Sequence, residues 1–147
     1  MQYTTVIEID LDREKVAELF ANPSNYSSWQ DSLIKQEIVE GEPGKIGTRT
    51  KIEHKLGKRK IEMIETITGS DLPNLFTATY VGKGVWNEAI NRFSRVKGNK
   101  TRWEMKSEFR FSGFMWVMSK LLPMMFKKQT RRTMLAFKNY AEKRNNS

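Results

Sequence analysis

Apolar and polar positions alternate along most of the first 111 residues and switch to helical spacing at Gly113. Tyr3, Thr5, Ile7 and Ile9 share one side of an extended segment over residues 2–10, the period of two that a half-buried strand requires. Asp12 then offers an N-cap. Val16, Leu19 and Phe20 form a short apolar stripe on a helix ending near Asn22-Pro23. Pro23 suits the first turn of a second short helix that carries Tyr26 and Trp29. Residues 33–40 read as the second strand, and Gly41-Glu-Pro-Gly44 as the turn after it.

Two further strands follow. Ile46, Thr48, Thr50, Ile52 and His54 alternate with Gly47, Arg49, Lys51, Glu53 and Lys55. A two-residue hairpin loop at Leu56-Gly57 pairs Lys55 with Lys58. That register sets Ile52 beside Ile61, Thr50 beside Met63, Thr48 beside Glu65 and Ile46 beside Ile67, all on one mostly apolar face. Asp71-Leu-Pro73-Asn74 is the next turn, and residues 75–81, 85–97 and 101–111 complete seven strands. A three-residue loop at Lys97-Gly98-Asn99 puts Phe93 opposite Trp103 and Asn91 opposite Met105; a two-residue loop puts Arg92 beside Met105 instead. The longer loop is the preferred reading. Trp103, Met105, Ser107 and Phe109 then face one way, and Arg102, Glu104, Lys106, Glu108 and Arg110 the other.

Beyond Gly113, Phe114, Met118, Leu121, Leu122, Met125, Phe126, Gln129, Met134, Phe137 and Tyr140 fall along one helical stripe. Pro123 lacks a backbone donor, so a kink or a fresh helix start is expected there.

Composition narrows the function classes. A chain of 147 residues fits a single domain, residues 1–147, burying about 70% of its unfolded surface. The absence of Cys excludes thiol catalysis and Cys-ligated zinc, and one His argues against a His-rich metal site, so neither metal nor cofactor is expected. Met1-Gln-Tyr-Thr-Thr-Val does not read as a secretory signal. The apolar run from Phe114 to Phe126, interrupted by Lys120, is shorter than the roughly 20 residues a membrane span needs. A cytoplasmic location is the expectation. The net charge of +9 is uneven: residues 113–147 carry eight of the 26 basic side chains and one of the 17 acidic ones. This is either the solvated face of a packed helix or an attraction for anions.

The order of elements, strand, two short helices, six strands and long terminal helix, covers the entire chain. Within it stand Asn22-Pro-Ser-Asn-Tyr-Ser-Ser-Trp29, Gly41-Glu-Pro-Gly-Lys-Ile-Gly-Thr48, Lys100-Thr-Arg-Trp103 and the closing helix to Glu142. Together they resemble the START / Bet v 1-like (SRPBCC) superfamily, in particular its bacterial polyketide cyclase/dehydrase-like branch. The resemblance implies an α+β helix-grip fold: a seven-stranded curved antiparallel sheet, two short helices and a long C-terminal helix over a cavity for an apolar small molecule. Family members include lipid carriers, hormone-binding proteins, cyclases and regulators, so fold alone does not fix the activity. The Gly-rich loop of the plant members is not reproduced by residues 41–47.

Glu65, a carboxylate among Ile and Met neighbours, is the candidate acid–base group, because burial raises a carboxyl pKa toward the range of proton-transfer chemistry. The alternative is a carboxylate satisfied by Thr48 or a nearby Arg, or one at a strand end open to water. His54, beside Lys55, Lys58, Arg59 and Lys60, reads as a surface side chain near a hairpin tip. No second His, no Cys and no paired carboxylate supports a nucleophilic triad. With the longer loop, Asn87 and Asn91 point inward with Phe93 and either meet a ligand's hydroxyl or carbonyl or bond to one another and to backbone. Met63, Met105, Met118 and Met125, with Trp103 and Phe109, give a compliant apolar lining or a plain core. Thr50, Ile52, Leu122 and Trp29, the last at a mouth or stapling its helix to the sheet, complete the expected ligand-binding set.

The first expectation is therefore a carrier or binding protein for a hydrophobic small molecule, acting as a monomer or weak homodimer. The second is a cyclase/dehydratase-type enzyme with Glu65 as acid–base and Asn87 or Asn91 orienting a carbonyl. The third is an interaction protein whose basic helix, with Lys127, Lys128, Arg131 and Arg132, touches an anionic membrane or other acidic surface, with Trp116 and Leu122 near the head groups. No motif for reading nucleic acid accompanies the basic segment.

Overall fold

The computed structural model describes residues 1–121 and 123–145. In chain order these form β1 (Gln2–Ile9), α1 (Arg13–Ala21), a 3-10 turn (Pro23–Asn25) running into α2 (Tyr26–Trp29), β2 (Leu33–Glu40), β3 (Arg49–Leu56), β4 (Arg59–Asp71), β5 (Leu75–Gly82), β6 (Val85–Val96), β7 (Lys100–Phe111), α3 (Gly113–Leu121) and α4 (Pro123–Asn145). The strands make one antiparallel sheet in the order β1-β7-β6-β5-β4-β3-β2. This is the expected helix-grip arrangement of curved sheet, short helices and long C-terminal helix. Register shifts between Ile67 and Gly69 in β4 and at two places in β2 add the local bends that curve a sheet.

Local signals explain the short helices. The Asp12 carboxylate accepts from the Lys15 amide at 3.1 Å and starts α1. Asn22 caps the Pro23 turn by accepting from the Ser24 amide at 3.1 Å. Val16, Ala17 and Phe20 are the buried stripe of α1.

The β6–β7 hairpin has the three-residue loop, so Phe93 lies opposite Trp103 and Asn91 opposite Met105. The β3–β4 hairpin differs from expectation. Gly57, at φ +63°, takes the first of two loop positions and Leu56 pairs with Arg59. Each partner therefore moves by two residues: Thr50 lies opposite Glu65, Ile52 opposite Met63 and His54 opposite Ile61. An even step preserves which face a side chain takes, so the inward set stands while its neighbours change. Thr48 bonds through backbone to Ile67, and Ile46 is outside the sheet and exposed.

Aromatic side chains fill one half of the concave face. The Phe20 ring packs within 5.9 Å, centroid to centroid, of Trp29, Phe76, Phe93, Trp103 and Phe137. Ile7, Ile9, Val16, Met134 and Ala141 close around them. Helix α4 is tied to edge strand β1 at both ends. The Tyr3 hydroxyl lies 2.7 Å from Thr130 Oγ1 and donates to the Phe126 carbonyl at 3.1 Å. Lys138 donates to the Glu8 carbonyl at 2.7 Å, and Glu142 accepts from the Asp10 amide at 2.8 Å.

Pro123 opens a fresh helix, one of the two outcomes expected of it. The single inward stripe is not found. Met134 and Phe137 are buried, but Phe114 and Leu121 of α3 are exposed, because α3 runs past the end of the filled core. Gly84 sets that position. It adopts φ +76°, its carbonyl accepts from the Ser112 amide at 3.0 Å, and a Cβ there would lie 2.8 Å from the Ser112 carbonyl oxygen. Only glycine lets the β5–β6 turn abut the start of α3.

Because Phe137 is fully buried among four other rings, Phe137→Ala should destabilise the fold by about 3–5 kcal/mol, read as a lower urea midpoint. Leu121→Ala, at a side chain 70% exposed, should change stability by less than about 0.5 kcal/mol.

Candidate functional site

The sheet register sets the inward side chains in rows. One row crosses from β3 to β7 as Thr50, Glu65, Tyr80, Asn87 and Phe109; the next runs Ile52, Met63, Gly82, Val85 and Phe111. On the other side of the first row stand Ile67, Ala78, Ala89 and Ser107, followed by Phe76, Asn91 and Met105. Small side chains in the middle rows and the missing one at Gly82 leave space that large ones elsewhere fill.

That space is an inner chamber of about 250 Å³ between these rows and the first half of α4. Met63, Val85, Ala89, Met105, Phe109, Met115 and Phe126 supply its apolar wall. Phe20 and Trp29 close the end next to the aromatic core. Tyr80, Asn87, Ser107, Gln129, Thr130 and Thr133 add polar groups. Helix α4 thus changes chemistry along its length, with Gln129, Thr130 and Thr133 over the chamber and Met134, Phe137 and Ala141 over the core. A wider outer chamber of about 930 Å³ lies between the β3–β4 and β5–β6 turns and α3. The two share Ile61, Met63 and Met115 as walls.

The polar groups differ in how they are held. Asn91 marks the border of the filled half: its Oδ1 accepts from Trp103 Nε1 at 2.9 Å and its amide donates to the Phe76 carbonyl at 3.3 Å. Asn87 donates to the Glu108 carbonyl at 2.9 Å. Trp29 Nε1 and Thr5 Oγ1 are buried without a hydrogen-bond partner among the described residues. His54 forms a 2.9 Å hydrogen bond with Ser32 Oγ through Nδ1 and lines the inner chamber with Lys55. Burial lowers its pKa below 6.5, favouring the neutral ring. The expected surface position for His54 is therefore corrected. Its bond to Ser32 comes from the loop before β2, a tertiary contact that alternation within one strand does not reveal.

Glu65 is buried opposite Tyr80, whose hydroxyl it engages. Burial raises the carboxyl pKa, and the Tyr80 hydrogen bond opposes this only in part. Burial and the facing Glu65 raise Tyr80, and burial followed by Glu65 charge raises Tyr26. Glu65 lines a separate hollow of about 230 Å³ with Thr50, Thr48, Tyr26 and Gln36. Tyr80, not Glu65, belongs to the wall of the inner chamber.

The structure thus sorts the expected ligand-binding set. Trp29, Met63, Asn87, Asn91, Met105 and Phe109 line the inner chamber, and Met63, Met118 and Met125 the outer one. Thr50 and Glu65 line the separate hollow. Phe93 and Trp103 are packed in the aromatic core, and Ile52 is buried in the sheet outside these linings. Leu122 lies outside the described residues. Sequence reasoning missed Tyr80, Ala89, Ser107 and Val85, although their alternation within β5, β6 and β7 already placed them inward. It also missed Met115, Gln129, Thr130 and Thr133, whose roles depend on where the helices cross the sheet. No cluster of three or more His, Asp or Glu able to hold a metal occurs among the described residues. No helix among them is long and apolar enough to cross a membrane.

The profile of the family described as polyketide cyclase / dehydrase and lipid transport matches residues 1–142. No curated protein matches the chain. Among solved structures, a conserved protein from Geobacillus kaustophilus aligns with TM-score 0.84 at 15% identity, covering 97% of this chain and 96% of its own. The Zhui aromatase/cyclase from a Streptomyces species gives 0.82 at 13% identity, covering 98% and 94%. A START superfamily protein from Mycobacterium smegmatis gives 0.82 at 8% identity, covering 97% of each chain. At these identities the likeness is one of fold.

His54 is the sole histidine, so its ring resonances give an unambiguous NMR titration, with an expected midpoint below 6.5. Between that midpoint and 6.5 the unfolded chain binds a proton that the folded chain does not, so stability falls as pH drops through this window. His54→Gln should flatten that loss. A midpoint at or above 6.5 contradicts the half-buried, neutral ring.

Proposed function

The chain belongs to the polyketide cyclase / dehydrase and lipid transport family, and we propose that it binds or transports a hydrophobic small molecule of lipid, polyketide or aromatic character between the curved sheet and the C-terminal helices. One observation carries this reading. The concave face is solidly packed on one half only, and the other half borders adjoining chambers of about 250 and 930 Å³ with shared apolar walls. Apolar burial supplies most of the affinity, at about 25 cal/mol per Å² before the costs of ordering. Met63, Met105 and Met115 let the wall adapt to ligand shape, since unbranched thioether side chains repack easily. Asn87, Ser107, Gln129 and Thr130 orient a hydroxyl or carbonyl on an otherwise apolar ligand.

A second reading, a cyclase/dehydratase-type enzyme, is favoured by the Glu65–Tyr80 pair. A carboxyl with raised pKa sits against a phenol that lines the inner chamber, which suits proton transfer through Tyr80. Asn91 is engaged by Trp103 and Phe76, and the Asn87 amide nitrogen donates to the Glu88 and Glu108 carbonyls, so Asn87 offers its Oδ1 to a substrate hydroxyl rather than a donor to a carbonyl.

Native mass spectrometry of the purified protein should reveal a co-purified apolar molecule. Ala89 is buried between Ala78 and Ser107 on the chamber wall, so Ala89→Phe should weaken binding of an apolar fluorescent probe about tenfold or more. Unchanged binding in a folded Ala89→Phe protein sinks the cavity reading. Glu65→Gln separates the two functions: a carrier keeps its ligand, whereas an enzyme retains binding and loses turnover.

A further inference from the structure

We propose that α3, with the basic residues flanking it, is a docking surface for an anionic phospholipid bilayer, and that docking sets the mouth of the outer chamber against the lipid. The proposal starts from a helix that is apolar on both sides. A surface helix ordinarily turns its apolar side inward and its polar side to water. In α3 the sides facing the protein are Met115, Met118 and the buried Ser119. Its outward side carries Phe114, Trp116, Val117 and Leu121, joined by Met124 at the start of α4, all between 44% and 70% exposed. Such a grouped set of large apolar side chains marks an interaction surface rather than the scattered exposure normal for soluble proteins.

Charge identifies the occupant. Lys58, Lys120, Lys127, Lys128, Arg131 and Arg132 surround or continue this patch, and none forms an ion pair among the described residues. Arg59 lies over the Phe114 ring at 4.1 Å and Lys120 over Trp116 at 5.7 Å, so cations stand directly beside the apolar groups. Glu62, the one acidic side chain of the outer chamber, pairs with Lys51 at 3.5 Å. A second copy of the chain would bring these cations against one another. An anionic bilayer instead accepts the apolar side chains below the head groups and the cations at them. Phe114 and Lys58 also line the outer chamber, so a bilayer held by this face lies at the chamber mouth. An apolar ligand then passes between membrane and protein without crossing water. That transfer rests on the cavity reading above; the docking does not.

The test is co-sedimentation of the full chain with phosphatidylcholine vesicles, with and without phosphatidylglycerol. Binding is expected to the anionic vesicles and to weaken as salt rises. Lys127→Gln with Lys128→Gln should weaken it about 30-fold, and Trp116→Ala with Leu121→Ala about tenfold or more. All four side chains are exposed, so folding should be unaffected, as unchanged thermal melts would verify. The Ala89→Phe protein should still bind vesicles, which separates failure of the cavity reading from failure of docking. Absence of binding to anionic vesicles at low salt overturns the proposal. Binding insensitive to the Trp116/Leu121 change also overturns it, because adsorption then needs charge alone. So does a concentration-dependent dimer abolished by that change, because a second copy then covers the face.

Discussion

Packing around the Phe20 ring is the interaction on which the rest of the molecule depends. Phe20 comes from the first helix, Trp29 from the second, Phe76, Phe93 and Trp103 from three central strands, and Phe137 from the terminal helix. One cluster therefore fastens every layer of the fold to every other. Rings of this size bury large apolar areas, and their edge-to-face geometry adds orientation to burial. Because the cluster anchors the second half of α4, the first half of that helix can cross the sheet touching it mainly through Phe126, whose ring lies against Phe109 and Phe111. The chamber is the result: α4 is held at a distance by its own C-terminal half and by the Tyr3–Thr130 tie to β1.

The interior around this space is poised toward neutrality. Burial shifts Glu65 and Tyr80 upward and His54 downward, each toward its uncharged form. Polar atoms on the border between the filled and open halves are bound internally, as Asn91 is by Trp103 and Phe76, or lack a partner among the described residues, as Trp29 Nε1 does. A mostly apolar interior, with its buried titratable groups shifted toward their uncharged forms, and a strongly basic exterior divide the recognition problem. Shape and a few hydrogen bonds select what goes inside, and long-range charge selects the surface the protein meets.

Much of this was legible in the sequence because alternation reports faces. The inward sets of β1 and β7 could be read directly, as could the helix cap at Asp12; that of β6 followed once the longer loop was preferred, and Pro123 marked a break that was either a kink or a restart. Neighbour relations were less secure. The β3–β4 pairing turned on whether Leu56 or Gly57 opened the loop, and one residue of difference there moved Glu65 from Thr48 to Thr50. Distances from the core were invisible altogether. Thr50, Phe93 and Trp103 share the concave face with Met105 and Phe109, yet they border other parts of it, since periodicity does not state where along a strand the overlying helix lifts away. Helix α3 misled for a related reason: its apolar residues follow helical spacing, and spacing does not distinguish a side buried in protein from one left to water.

The division of labour along α4 has a consequence for how such a protein diversifies. Residues that hold the chain together and residues that shape its hollow belong to different turns of one helix and different ends of the same strands. Drift at Ala89, Ser107, Gln129 or Thr133 alters the size and polarity of the hollow while the Phe20 cluster continues to specify the backbone. The scaffold is thereby free to exchange one guest for another by gradual substitution, each intermediate remaining a folded protein on which selection can act.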